Sequence, residues 1–257
     1  MKKIYLGTNT KMYKSIKDSI DFVTTLAENT KDIPRDKIEL FVIPSYTSIG
    51  PARDSVEKEL ITIGAQNMHW AQEGQFTGEI SPVMLKEVGT EIIELGHSER
   101  RHKMGELDID INKKLVSALN NDLRPLLCIG ETKEQKDAGD AVKTLRIQLK
   151  VGLDGVKKED ISKIMIAYEP VWAIGVEGIP ASPEYAEEIH KEIRTMLIEI
   201  LGEKAKEIPI LYGGSVNNDN FSDLIDKDEV DGLFIGRSAW DADNFTKIIK
   251  AVYKQMF

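Results

Sequence analysis

The chain has 257 residues, and its 34 Lys plus Arg against 43 Asp plus Glu give a net charge of −9 at pH 7. This acidic balance argues against a general nucleic-acid-binding surface, which needs a basic face. No apolar run is long enough to cross a bilayer, and the amino terminus turns polar too early for a signal peptide, so we expect a cytoplasmic protein with no membrane partner.

Short apolar, β-branched runs alternate with amphipathic stretches along the whole chain. Several of these runs are continuous apolar segments, which is typical of strands buried on both faces of a parallel sheet. We predict eight strands: Ile4 to Thr8, Leu40 to Pro44, Ile61 to Ala65, Glu91 to Leu95, Leu126 to Ile129, Ile164 to Tyr168, Ile210 to Tyr212 and Gly232 to Ile235.

Between these runs, apolar residues recur at helical spacing. Ser182 ahead of Pro183 predicts one helix start, and Asp243 or Asn244 is expected to cap the last helix. The predicted apolar faces are Ile16, Ile20, Val23 and Ala27; Ile111, Leu115 and Ala118; Val142, Leu145 and Leu149; Ala186, Ile189, Ile193, Met196 and Ile200; and Ile248, Val252 and Met256.

Eight strand-plus-helix units favour an α/β fold, a (β/α)8 TIM barrel that forms a single domain over residues 1–257. The alternative is an open, doubly wound sheet. No Gly-x-Gly-x-x-Gly follows an early strand, so the best evidence for a dinucleotide-binding sheet is missing. In a barrel the chemistry lies at the carboxyl ends of the strands, and the polar residues there are the candidates for a site.

Polar side chains follow three of the predicted strands. Asn9 and Lys11 follow the first strand, His97 the fourth and Glu169 the sixth. Taking a proton from carbon beside a carbonyl requires a base and a donor or cation for the developing oxyanion. Glu169 can be the base, His97 the proton donor and Lys11 the cation, with Asn9 as a neutral donor. Each residue alone could be an ordinary loop or structural residue, but the combination is specific.

Glycines follow the sixth, seventh and eighth predicted strands, at Gly175, Gly213, Gly214 and Gly236. Backbone N–H groups can gather around a phosphate where no Cβ interferes. A phosphorylated sugar is therefore the predicted ligand. The single cysteine, Cys128, excludes an internal disulfide and a Cys-rich zinc site, and the dispersed histidines show no metal-ligand spacing, so we predict no metal. Proton transfer by the side chains named above needs no cofactor, and we predict none.

Seven segments in order along the chain match one known pattern, and four of them contain the polar residues and glycines named above other than Gly236. They are Gly7 to Met12, Gly64 to Asn67, Thr77 to Ser81, Gly96 to Arg101, Leu127 to Glu131, Ala167 to Gly175 and Tyr212 to Val216. Together they resemble the triosephosphate isomerase family, and the likeness covers essentially the whole chain.

This resemblance implies a catalytic set and a phosphate site. It gives Glu169 the role of base, His97 that of electrophile, and Lys11 and Asn9 that of electrostatic partners. Residues Val176 to Ala181 would form a closing lid. The implied phosphate contacts are backbone groups of Gly175, Ser215, Gly236 and Arg237.

The resemblance also implies a homodimer. The segment Gln66 to Ser81 is similar to the loop that family members insert into a partner subunit, with Thr77 near the neighbouring active site and Glu79 as a further contact. The alternative is an exposed loop without a partner. Cys128 and Glu131 match family positions of mainly structural use.

Three departures from the family pattern surround the predicted pocket. Thr10 replaces a Trp, the lid is one residue longer, and Arg237 stands where a second glycine usually holds phosphate. The Arg237 guanidinium could contact phosphate or lie in solvent, and Trp240 is expected to pack.

Three segments resemble the family branch that interconverts L-erythrulose 1-phosphate and D-erythrulose 4-phosphate, which is the favoured reaction: Gly178 to Ser182, Gln66 to Trp70 and Ile235 to Trp240. The alternatives are isomerisation of triose phosphates and a barrel that binds sugar phosphate without turning it over.

Overall fold

The computed structural model describes residues 2–175 and 178–257. In this part of the chain, eight parallel strands form a closed barrel in chain order, with β8 pairing to β1. The predicted (β/α)8 TIM barrel is confirmed. The strands are β1 (Ile4–Asn9), β2 (Ile38–Ile43), β3 (Thr62–Ala65), β4 (Ile92–Leu95), β5 (Arg124–Ile129), β6 (Met165–Tyr168), β7 (Ile210–Tyr212) and β8 (Gly232–Phe234).

Helices alternate with the strands along the chain. None of those described has the length and hydropathy of a bilayer-spanning segment. They are α1 (Ile16–Thr30), α2 (Ile49–Asp54), α3 (Pro82–Glu87), α4 (Ser98–Lys103), α5 (Asp108–Asn120), α6 (Lys133–Asp137), α7 (Ala141–Gly152), α8 (Pro183–Leu201), α9 (Phe221–Ile225) and α10 (Ala242–Met256).

Strand residues alternate between the barrel interior and the shell that packs against the helices. In β2, Phe41 and Ile43 belong to the inner cluster, whereas Leu40 and Val42 belong to the outer core. An added Cβ on Gly7 would lie 2.0 Å from the Phe41 ring, so the glycine leaves the space that the ring fills. The barrel interior is therefore packed, and the polar residues gather at its carboxyl end.

Two helix predictions were wrong in detail. Ile16 is exposed because it begins α1 beside the Ser15 cap, and Phe22 and Leu26 supply the buried face together with the predicted Val23 and Ala27. The predicted capping residue of α10 was wrong as well. Asp241 caps this helix by accepting from the Asn244 N–H at 2.8 Å, which leaves Asp243 and Asn244 inside the first turn.

His190 of α8 is fully buried beside the rings of Tyr168 and Tyr212, with Nδ1 3.1 Å from the Glu229 carbonyl oxygen. Burial lowers the pKa of His190 to about 3 from its ordinary 6.5. Between these values the unfolded chain binds a proton that the folded chain rejects, so unfolding becomes easier as the pH falls.

We expect His190 to remove about 2 kcal/mol of unfolding free energy between about pH 7 and pH 5. His190→Leu should lack this part of the acid sensitivity. Urea denaturation of both proteins at the two pH values, at one protein concentration, measures the difference. An identical loss in the two proteins would contradict the assignment.

Candidate active site

The end of β1 holds Lys11 in a fixed conformation. Asn9 is the last residue of β1, and its Oδ1 accepts from the Lys11 N–H at 2.6 Å. Lys11 has a φ of 51°, which is uncommon for a residue with a Cβ, and its carbonyl accepts from Gln66 Nε2 at 2.8 Å. Its ammonium lies 2.9 Å from Glu99 Oε1. Lys11 is thus held in place through its backbone and through its side-chain ammonium.

His97 caps α4 with its own ring. Nδ1 accepts from the Glu99 N–H at 3.1 Å, so the neutral imidazole carries its proton on Nε2. Nε2 lies 3.5 Å from Glu169 Oε1. The ring therefore presents a donor to the same space as the carboxylate.

Glu169 directly follows β6 and is 2% exposed. Its Oε2 accepts from the Ser98 N–H at 3.1 Å. An added Cβ on Gly213 would lie 3.0 Å from the Glu169 Cγ, so this glycine gives the carboxylate room. In the described part of the chain, one backbone N–H donates to the Glu169 carboxyl group, so its other oxygen is available to accept a proton.

Glu99 carries the charge that faces Lys11. Burial alone would raise the pKa of Glu99, but the hydrogen bond and positive charge of Lys11 outweigh it, and the pKa lies below its ordinary value. Glu99 is therefore ionised at neutral pH and compensates the ammonium. A negatively charged ligand would compete with Glu99 for Lys11.

The sequence analysis missed Glu94, which lies in the barrel interior beneath the site. Its Oε2 accepts from Asn9 Nδ2 at 2.6 Å, and its Oε1 lies 3.9 Å from Cys128 Sγ. The available signal was one ionisable residue in the apolar strand Ile92–Leu95. Burial raises the pKa of Glu94 well above its ordinary value, and the negative charge of Glu169 adds to the rise.

Within the described chain, Glu94, Cys128 and Glu169 bring candidate metal-binding atoms within 4.8 Å of one another. A thiol and two carboxylates suit a metal such as zinc. Both Glu94 oxygens, however, already face Asn9 and Cys128. We therefore assign this cluster to the hydrogen-bond network of the site.

The opposite side of the site offers backbone donors. Among residues 2–175 and 178–257, no atom accepts a hydrogen bond from the backbone N–H groups of Ser215, Gly236 and Arg237. Unused N–H groups at a cavity wall suit an anion. Trp240 packs as predicted, against Tyr13 with ring centroids 4.6 Å apart. Its Nε1 also donates to the Asn9 carbonyl at 2.9 Å, a bracing contact that the sequence analysis missed.

The predicted lid is described in part, since Val176 and Glu177 lie outside the described residues. Before the lid, buried Glu131 accepts from Trp172 Nε1 at 2.8 Å and from the hydroxyls of Tyr168 and Tyr185. This network fixes the segment that leads from Glu169 toward the lid.

A cavity of about 320 Å³ joins these groups at the carboxyl ends of the strands. Thr77 and Glu79 lie outside it, on the exposed part of the loop after β3. All eight residues predicted for catalysis and phosphate contact line the cavity: Asn9, Lys11, His97, Glu169, Gly175, Ser215, Gly236 and Arg237. These residues come from separate parts of the chain and meet at one cavity.

Comparison with known proteins gives the family. A family model described as triosephosphate isomerase matches residues 4–252. The chain belongs to the triosephosphate isomerase family. This membership confirms the resemblance predicted from the seven segments, and it agrees with the closed barrel.

Two relatives of this triosephosphate isomerase family member are named L-erythrulose-1-phosphate isomerase. The protein of Rhizobium etli is 44% identical over 251 residues, which cover 97% of this chain and 92% of the relative. That of Rhizobium meliloti is 43% identical over 253 residues, covering 97% and 96%. The triosephosphate isomerase of Carboxydothermus hydrogenoformans is 40% identical over 251 residues, covering 97% and 99%.

Proposed function

We propose that the protein is a sugar-phosphate isomerase that converts L-erythrulose 1-phosphate to D-erythrulose 4-phosphate. The observation that carries this proposal is the convergence of the Glu169 carboxylate, the His97 imidazole and the Lys11 ammonium on one cavity. The two Rhizobium relatives support the four-carbon substrate.

The reaction moves one hydrogen between neighbouring carbons. Glu169 removes the proton from C3 of L-erythrulose 1-phosphate, and the electron pair forms an enediolate with oxygen atoms on C2 and C3. Glu169 then returns a proton to C2, which leaves the carbonyl at C3 and gives the product. No atom is gained or lost, so one carboxylate serves as base and then as acid.

His97 and Lys11 act on the oxygen atoms during this transfer. The Nε2–H of His97 donates to the oxygen that gains negative charge, and the ring can pass a proton between the two oxygens. Lys11 stabilises the same negative charge, and Asn9 supplies a further N–H donor. Together these groups supply the base, the proton donor and the cation that enolisation requires.

The phosphate group is proposed to lie against Gly175, Ser215, Gly236 and Arg237. The unused N–H groups of Ser215, Gly236 and Arg237 support this placement. Arg237 is exposed beside the cavity, where its guanidinium can add a charge-assisted hydrogen bond to a phosphate oxygen. The backbone N–H donors and the Arg237 guanidinium thus make this part of the cavity suitable for an anion although the whole chain is acidic.

Proton exchange in deuterated water tests the proposal. The purified protein is incubated separately with L-erythrulose 1-phosphate and with dihydroxyacetone phosphate, and carbon-bound deuterium is followed by NMR. We expect faster label incorporation and product formation with the four-carbon ketose. Faster reaction of the triose phosphate would instead support triosephosphate isomerase activity, which the Carboxydothermus relative makes the second candidate.

A third candidate is a barrel that binds sugar phosphate without turnover. The presence of Glu169, His97 and Lys11 in one cavity argues against it, because binding alone needs no base. Binding of both sugar phosphates without any label incorporation would support this candidate and reject the isomerase.

We further propose a homodimer formed through the Gln66 to Ser81 loop, with Thr77 and Glu79 as contacts. Met12, beside Lys11, is 94% exposed, and Tyr13, Phe76, Val83 and Met84 are exposed as well. Several large apolar side chains left exposed to solvent support an interface. Sedimentation velocity should give twice the mass of the chain, and a single-chain mass would reject the dimer.

We also propose one domain over residues 1–257 that acts in the cytoplasm, without a membrane or nucleic-acid partner. The net charge of −9 supports the last point, because nucleic-acid surfaces are basic. The proposed chemistry uses side chains and backbone groups of this chain and needs no cofactor.

Arg237→Gly should weaken binding of the phosphorylated substrate. We expect KM to rise about tenfold at low ionic strength, because a charge-assisted hydrogen bond is lost. The wild-type KM should rise with added salt, whereas the variant should respond less, since salt screens the guanidinium. Arg237→Gln, which keeps the Cβ but removes the charge, controls for backbone freedom. Equal KM values for the three proteins at low salt would place the guanidinium in solvent.

A further inference from the structure

Glu94 is an ionisable residue inside the barrel that the proposed mechanism does not use. Alternation along β4 places Ile92 in the inner cluster and Ile93 in the outer core, so Glu94 points inward and is 0% exposed. Among the described residues, no cation lies within ion-pair distance of Glu94. Burying a carboxyl group without a cation costs folding free energy, so we expect Glu94 to have a function that explains its presence there.

The partner of Glu94 is a residue of the candidate site. Asn9 Nδ2 donates to Glu94 Oε2 at 2.6 Å, while Asn9 Oδ1 accepts from the Lys11 N–H at 2.6 Å. The amide group is therefore held at both ends, and its orientation is determined. Of the two hydrogens on Nδ2, one is used by Glu94, and the other is left for the cavity that Asn9 lines.

We propose that Glu94 is a positioning residue, which holds the Asn9 amide so that its remaining N–H meets a substrate oxygen and its Oδ1 keeps the Lys11 backbone in place. This inference rests on the proposed isomerase function. It adds to that function a buried carboxyl on β4 that acts through Asn9 and does not touch the substrate.

The position of Glu94 beside Glu169 favours the neutral form of Glu94. Atoms of Glu94 and Glu169 lie within 4.8 Å of each other, and two buried carboxylates at this separation disfavour double ionisation. Glu169 has the Ser98 N–H as a donor and borders the cavity, whereas Glu94 lies deeper. Glu94 therefore holds the proton. Its carbonyl oxygen accepts from Asn9, and Glu169 stays free to act as the base.

Two substitutions separate this role from a structural one. Glu94→Leu removes the acceptor for Asn9, and we expect kcat to fall about 100-fold, as when one oxyanion donor is lost. Its melting temperature should stay equal or rise, because a buried polar group is replaced by an apolar one. Glu94→Gln keeps a neutral acceptor of similar shape, and we expect it to restore kcat to within about threefold of the wild type.

A double-mutant cycle with Asn9→Ala tests whether Glu94 affects kcat through Asn9. If Glu94 acts through Asn9, Glu94→Leu should lower kcat in the wild type and cause no further loss in Asn9→Ala. Ile93→Val, on the outward face of the same strand, controls for general disturbance of β4. Independent, multiplicative losses would overturn the inference, and so would a wild-type kcat for Glu94→Leu.

Failure of this inference can be told apart from failure of the proposed function. A wild-type protein that exchanges hydrogen with neither sugar phosphate rejects the isomerase itself. A crystal structure of Glu94→Leu then decides the remaining question. Unchanged orientation of the Asn9 amide and of the Lys11 backbone would overturn the inference with or without activity, whereas a reoriented amide would support it.

Discussion

Glu169→Gln should lower kcat by about 10³- to 10⁴-fold with little change in KM, because general-base catalysis acts in the transition state. The amide has almost the size of the carboxylate but cannot accept the proton. Glu169→Asp keeps the charge and withdraws it by about 1 Å, a displacement that should cost about 100-fold. Steady-state kinetics with L-erythrulose 1-phosphate measure both variants.

The matched control for Glu169 is Glu184→Gln, which removes the same charge from an exposed position in α8. This control should retain wild-type kinetics. Deuterium incorporation gives a second measurement, since loss of the base abolishes exchange at carbon together with turnover. If Glu169→Gln exchanges hydrogen at the wild-type rate, another residue must be the base.

Lys11→Met should reduce both kcat and substrate affinity, with kcat/KM falling by about 10³-fold or more, because the cation stabilises a charge present in the bound substrate and enlarged in the enediolate. Methionine has a similar length without the charge. Glu99 would lose its partner, so the pKa of Glu99 should return toward its ordinary value.

Lys17→Met removes the same charge from an exposed position in α1 and is the control for Lys11→Met. A small amine that restores part of the activity of Lys11→Met would support an electrostatic role for the ammonium. Wild-type kinetics in Lys11→Met would show that this ammonium is not part of the working site.

The strands and the candidate residues could be predicted from the sequence because their signals are local. Continuous apolar runs marked the eight strands, and the polar residues directly after them, such as Lys11 and Glu169, face the cavity. The exposure of residues at the helix ends and the identity of the helix caps were harder to predict. Solvent at the beginning of α1 exposes Ile16, and the choice of Asp241 as the cap of α10 depends on where the preceding turn ends.

The supporting contacts could not be predicted because they join distant parts of the chain. Glu94 and Asn9 are 85 residues apart, and Trp240 and Asn9 are 231 residues apart. Strand alternation indicates that Glu94 is buried, but only barrel closure shows which side chain it meets. The sequence thus identified the residues that line the cavity more readily than the residues that hold them in place.

The filled interior of the barrel affects how ligands come and go. The Phe41 ring lies against Gly7, Phe234 stacks beside it, and these side chains fill this part of the barrel centre. We therefore expect the substrate ketose and the product ketose to enter and leave through the cavity at the carboxyl ends of the strands. Accumulated product occupies the same cavity as the substrate and so slows the forward reaction, and the net flux stops when the ratio of the two sugars reaches the equilibrium constant.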